Sequence, residues 1–307
     1  MAPVAPVSWR DGVHLTGTPI WCDARRRRDV CFVSSAERVG RAGHGQLIAT
    51  PATLALLGAA AGHLAVPVHR PFTLGTTRLE LIPSGRGLGA AALHVDLGER
   101  TVLYAGAIRT VHRGGAAEVR KCEAVVVDAG AGDAELPALD DVASRVVDWV
   151  RVQLVQGKTP VLVVDTVFDG IEIAEHLAAV GLAVAASRTI REAAERARAF
   201  GSITEFRAPG REPAPIVRLD SDRVKLASSA SGVAALVSIR AATESSSGWD
   251  ATFAWPFVAT KKQLLHWIEQ SRAKHVFLTG DHADAIADEL GPRARVLGPP
   301  RQMALFG

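Results

Sequence analysis

The sequence predicts a mixed α/β protein in two parts, and a change of rhythm along its 307 residues predicts it. Over roughly the first hundred residues, short aliphatic and β-branched runs alternate with turn residues, the pattern of strands rather than helices. From Asp140 onward helical spacing sets in and then alternates with apolar strands, as in a parallel, Rossmann-like unit. No run of 18 apolar residues free of charge occurs, so no membrane-spanning helix is expected.

The elements follow in order. Val30 to Ser34 and Gln46 to Ala49 are β-type runs. Thr50-Pro51 opens a helix, with the Thr as cap and the Pro at the first position, where its missing N–H is not needed. Strands follow at Ala65 to Val68, Arg78 to Ile82, Ala91 to Asp96, Thr101 to Tyr104 and Ala124 to Asp128, and Leu97 to Arg100 is a hairpin turn. These early strands read as a mainly antiparallel cluster, which argues against a simple doubly wound start. Val146, Val147, Val150 and Leu154 line one side of a helix over Val142 to Gln156, which Gly157 ends. Then come a strand (Thr159 to Asp165), a helix (Gly170 to Val180), a strand (Leu182 to Ala186) and a helix (Ile190 to Phe200). Strands at Ile216 to Leu219 and Val233 to Ile239 precede a polar break at Thr243 to Ser247. The last part adds a strand (Thr252 to Phe257), a helix (Lys261 to Ala273), a strand (Val276 to Thr279) and a helix (Ala283 to Leu290).

Composition narrows the function classes. Cys22, Cys31 and Cys122 are few, odd in number and widely spaced, which suggests reduced buried thiols in a cytoplasmic protein, with no metal-ligand spacing among them. Met1 to Ser8 lacks the basic start and apolar core of a signal peptide. A net charge of +3 tolerates a polyanionic partner without demanding one. Arg25, Arg26, Arg27 and Arg28 form the densest basic run; it reads as a solvated turn or as contacts to nucleic-acid phosphates.

The tail offers a sharper signal. Gly298-Pro299-Pro300 cannot continue a helix or a central strand, and Gln302-Met303-Ala304-Leu305-Phe306-Gly307 follows it. Leu305 and Phe306 are either a last packed turn or anchors for another protein's pocket. Gln302-x-x-Leu305-Phe306 resembles the short peptide by which bacterial replication and repair proteins dock on the sliding clamp, the DNA polymerase III β subunit. At average residue usage such a match arises at roughly 1 position in 5,000. The resemblance implies clamp contacts through Gln302, Met303, Leu305 and Phe306.

The order of blocks resembles the metallo-β-lactamase fold with a β-CASP insertion, above all the bacterial ligase-associated nucleases related to RNA 3′-end processing enzymes. The residues behind this are His44-Gly45 through Ala49-Thr50-Pro51-Ala52-Thr53, Pro83-Ser84-Gly85-Arg86-Gly87-Leu88-Gly89-Ala90, Tyr104-Ala105-Gly106-Ala107, Ser247-Gly248-Trp249 and Val276-Phe277-Leu278-Thr279-Gly280. The resemblance implies an αββα sandwich with an inserted Rossmann-like β-CASP domain. Its expected boundaries are a first sandwich part over 1–150, the insertion over 151–245, a second sandwich part over 246–297 and the tail over 298–307.

That family works with two metal ions, usually zinc, held by His and carboxylates around an activated hydroxide. Here the ligand positions the resemblance identifies are Ser34, Ala36, Arg38, Val39, Arg86, Ala107, Val258 and Gly280. Ala, Val and Gly offer no side-chain donor, and Arg brings positive charge to a cation's place. Only Asp23 and Asp128 keep carboxylates. The expectation is therefore a non-catalytic relative without metal or other cofactor, docked on the clamp and acting as an adaptor or DNA-binding factor in replication or repair, in the cytoplasm or on the nucleoid, with no membrane role. A DNA ligase, a helicase or an active nuclease are further expected partners, and a non-catalytic subunit of one of them is an alternative. A second alternative, a divergent nuclease, needs a site rebuilt from Asp23, Asp128, His44 and Asp281 or His282. Asp281, beside His282 and Asp284 at a helix start, reads more simply as a cap or helix-dipole partner, and His44 as a residue packed in a turn.

Overall fold

The computed structural model describes residues 5–37, 43–59, 61–110, 115–201, 205–210, 213–222, 232–243 and 247–299. Among them are three sheets and six α-helices, a mixed α/β architecture as expected. The chain divides into two units. The first comprises Met1–Leu54, Ala59–Asp133 and Lys261–Gly307, the second Ala55–Gly58 and Ala134–Thr260.

The first unit holds two sheets. One contains β1 (Val7–Trp9), β2 (Val13–Leu15), β3 (Ile20–Cys22), β4 (Val30–Phe32), β5 (Gln46–Ala49) and β6 (Leu64–Ala65), paired in that order. The pairs β1–β2 and β2–β3 are antiparallel, but β3–β4, β4–β5 and β5–β6 are parallel. This corrects the antiparallel cluster expected here. Helix α1 (Pro51–Leu57) supplies the crossover between β5 and β6. It starts where expected: Thr50 Oγ1 accepts from Thr53 N at 3.1 Å, and Pro51 opens the first turn.

The other sheet runs β18 (Ala294–Val296), β17 (His275–Thr279), β11 (Ala124–Asp128), β10 (Thr101–Gly106), β9 (Ala91–Asp96), β8 (Thr77–Pro83) and β7 (Phe72–Leu74). β8, β9 and β10 form an antiparallel meander, and the expected hairpin turn closes with Leu97 N donating to Arg100 O at 3.0 Å. β10, β11, β17 and β18 pair in parallel. Val7, Leu15, Ile20 and Phe32 of the first sheet share a core with Leu79, Leu81, Leu93, Val102 and Phe277 of the second. Alternation explains the contribution of β8, whose Leu79 and Leu81 are buried while Arg78 is exposed. β11 is buried at four successive residues, Ala124 to Val127, as a strand covered on both faces must be. Helices α5 (Lys261–Ser271) and α6 (Ala283–Leu290) belong to this unit.

The second unit has its own core. β12 (Thr159–Val164), β13 (Ala185–Ala186), β14 (Ile216–Leu219), β15 (Gly232–Ser238) and β16 (Ala251–Ala254) form an all-parallel sheet in the order β13-β14-β12-β15-β16. Helices α2 (Leu139–Val155), α3 (Val167–Ala179) and α4 (Arg188–Ala197) accompany it. Val142, Val146 and Val150 on the apolar side of α2 join Leu162, Ile173, Leu177, Val217 and Trp255 in one cluster. That burial places α2 and β16 in this unit, which is wider than 151–245 at both ends. α3 starts three residues before the expected Gly170, because the Thr166 hydroxyl caps Asp169 N at 3.2 Å.

The core of the second unit draws on residues 142–257 alone, and Asp133 and Lys261, which flank the unit in sequence, form a 2.8 Å ion pair. A fragment covering 134–260 is therefore expected to fold by itself and to melt as one cooperative transition by circular dichroism. A broad, non-cooperative melt contradicts this.

Candidate functional site

The candidate site lies on the first unit, where strand ends and loops bring several of the expected positions together. Asp23 follows β3 with φ 45°, a left-handed conformation that Asp tolerates better than most residues. Its N–H donates to Phe32 O at 2.9 Å. Its carboxylate accepts three hydrogen bonds: Oδ1 from Ser34 N at 2.9 Å, and Oδ2 from Ser34 Oγ at 2.6 Å and Tyr104 OH at 2.8 Å. Ser34 and Tyr104 are buried. The network reaches from β3 and β4 in one sheet to β10 in the other. Gly106 leaves room for it, since a Cβ there would stand 2.6 Å from Ser34 Oγ.

The expected position Ala107 follows β10 and is buried. Next in the sheet, Asp128 ends β11 and Gly280 follows β17, with Asp128 and Thr279 paired in register. A Cβ at Gly280 would sit 3.0 Å from Asp128 Oδ2, at a backbone φ of 92° that favours glycine. Asp128 Oδ1 accepts from Gly130 N at 3.0 Å.

Arg86 lies in the loop from β8 to β9. Its Nη2 stands 3.1 Å from Glu37 Oε1, with side-chain exposures of 7% and 13%. Glu37 is a residue that sequence reasoning missed. Its neighbour Ala36 was singled out, but no spacing rule links residue 37 to residue 86, and only the folded chain joins them. Arg38 and Val39 fall outside the described residues, as do Gln302, Met303, Leu305 and Phe306. Val258 is buried and belongs to the second unit.

His44 Nδ1 accepts from Arg28 N at 3.2 Å, which makes it part of a turn, as expected. His282 takes the cap position of α6 without a side-chain capping bond, so the cap expected of Asp281 is not made there. The ring of His282 lies against Gly132. Among the described residues, no group of three or more His, Cys, Asp or Glu side chains could hold a metal ion. The metals that the resemblance implies do not fit the donors present. Ser34 is hydrogen-bonded to Asp23, Ala107 and Gly280 offer no side-chain donor, and Arg86 is a cation.

The arginine run divides. Arg25, Arg26 and Arg27 are exposed, and Arg26 pairs with Asp11 at 3.0 Å. Arg28 stacks 3.8 Å over the Trp21 ring and donates from Nη2 to Arg10 O at 2.5 Å, so it supports the turn. Cys22, Cys31 and Cys122 are free and buried; burial raises all three thiols, Cys31 and Cys122 to about 12. High-pKa buried thiols are poor nucleophiles, so none is a candidate for catalysis.

No protein-family model matches the chain, and no curated protein matches it in sequence. Its fold is similar to the crystal structure of a protein of unknown function from Enterococcus faecalis V583, with a TM-score of 0.60, 89% of this chain and 79% of that chain covered, and 10% identity. At that identity the likeness shows a shared fold and nothing about activity.

Two predictions follow from the geometry. Ser34→Ala and Tyr104→Phe each remove a hydrogen bond to a carboxylate and are expected to cost about 1–3 kcal/mol by urea denaturation. The double variant should depart from additivity, because both bonds end on one carboxylate; two null single variants contradict the network. His44 and His94 are both held below the ordinary 6.5, chiefly by burial. A depressed histidine pKa means that the unfolded chain binds protons first, so stability is retained above about 6.5 and lost as pH falls below it. His94→Gln should flatten part of that loss; an unchanged pH profile would count against it.

Proposed function

We propose that the chain is a non-catalytic relative of the β-CASP nucleases: a metallo-β-lactamase-like body with a β-CASP-like insertion, which docks on the bacterial sliding clamp through Gln302, Met303, Leu305 and Phe306. In this reading it acts in the cytoplasm as an adaptor or DNA-binding factor in replication or repair. The observation that carries it is the state of the inherited ligand positions. Asp23 accepts three hydrogen bonds from Ser34 and Tyr104, Arg86 is paired with Glu37, and Ala107 and Gly280 have no donor to offer. A hydrolase of that kind needs a cation to polarise its substrate and generate a hydroxide, and among the described residues no group of three or more His, Cys, Asp or Glu side chains could hold one.

The architecture supports the reading. A unit of two facing sheets interrupted between Asp133 and Lys261 by an all-parallel unit is the arrangement the resemblance implies. The tail supplies the reason to expect a partner, since a short linear segment with a Leu-Phe pair suits an apolar pocket on another protein. DNA contact through exposed Arg25, Arg26 and Arg27 is compatible with it, because phosphate recognition needs basic side chains and not metal.

Calorimetric titration of the intact chain into the clamp tests the proposal. Peptides of this kind are expected to bind in the micromolar range, about −8 kcal/mol. Binding should disappear in Gln302→Ala combined with Leu305→Ala/Phe306→Ala. Absence of binding by the intact chain rejects the clamp reading and turns attention to a paralogous nuclease or a ligase as partner.

A further inference from the structure

We infer that the buried Arg86–Glu37 ion pair takes over, in this chain, the cross-linking role that bound cations have in the metal-dependent hydrolases it resembles, and so makes the fold independent of metal. The inference rests on the non-catalytic reading above and assigns a role to its central pair of residues.

The two partners sit on different sheets' loops. Glu37 ends the described stretch after β4, and Arg86 lies between β8 and β9. A metal coordinated from both loops would tie the sheets together there; a 3.1 Å guanidinium–carboxylate contact does so with side chains alone. The loop that carries Arg86 has little freedom to release it. Gly85 has φ 70°, and a Cβ there would lie 2.0 Å from Arg109 O and 2.6 Å from Ala117 N. Gly89 has φ 75°, and its Cβ would lie 2.8 Å from both Ala52 Cβ and Thr53 N. The Gly89 carbonyl accepts from Thr50 Oγ1 at 2.6 Å and from Thr53 Oγ1 at 2.8 Å. Arg86 is thus fixed between two close backbone approaches, and its charge is met inside the protein.

Metal is excluded on the same grounds. A divalent ion near Arg86 would be repelled by the guanidinium and would have to take Glu37 from it. Asp23, another carboxylate of the site, would first have to give up three hydrogen bonds. The Asp23 network is itself a second cation-free tie between the sheets.

Thermal melts of the full chain, each in EDTA and in excess zinc, test the inference on four proteins: wild type, Glu37→Gln, Arg86→His and Arg86→Met/Glu37→Leu. A ligand that binds only the folded state raises the midpoint, so the wild-type midpoint should be the same in both media. Glu37→Gln should melt lower than the apolar double variant, because it takes a charged partner from a buried guanidinium that the double variant removes as well. Arg86→His should melt lower than wild type and gain nothing from zinc. If Glu37→Gln fails to fold, a double variant that folds but melts below wild type carries the inference, and one that melts with wild type overturns it. If neither folds, if Glu37→Gln melts with wild type, or if zinc raises or EDTA lowers the midpoint of wild type or Arg86→His, the inference fails. Clamp docking is read separately by calorimetry, so either idea can fall without the other.

Discussion

The hydrogen-bonded carboxylate of Asp23 is the constraint on which the candidate site depends. One side chain just past a three-residue strand accepts from Ser34, just past the next strand, and from Tyr104 on the facing sheet. A partly buried carboxylate gains from such partners, because desolvation without them is costly. Once they are in place, the carboxylate has little left to offer a cation. The absence of a Cβ at Gly106 and the left-handed backbone at Asp23 follow from the same crowding. Arg86, buried in the loop between β8 and β9, meets its counter-charge in Glu37.

Much of the fold was legible in the sequence, and the reasons are local. β5, β9, β11, β14 and α6 lie where periodicity and bounding turn residues put them. Their apolar runs are long enough, or their caps clear enough, for local rules to decide. β1, β2, β3 and β18 are three residues each, too short to show a period, and none was anticipated. The parallel pairing of β3 to β6 was not legible, since strand direction depends on where crossovers return the chain. The second unit begins at Ala134 and not at residue 151 because α2 packs by its valine side on the parallel sheet, a tertiary preference that helical spacing alone does not reveal.

The site was half legible. That Ala107 and Gly280 carry no side-chain donor is legible from residue identity alone. The contacts made around those positions are not. Glu37 stands 49 residues from Arg86 in sequence, and Tyr104 stands 81 residues from Asp23. Pairs so far apart leave no periodic trace. The same holds for Arg28, which looks like one member of a solvated run and is instead stacked on Trp21. Fold likeness to a protein of unknown function adds the architecture, and function has to be argued from these side chains.

The central claim is that this body has exchanged metal chemistry for internal polar ties. The most direct measurement is the metal content of the intact chain, produced in zinc-supplemented medium and analysed by plasma emission after desalting. The account predicts far less than one transition-metal ion per chain. Two ions per chain, retained through desalting, would contradict it.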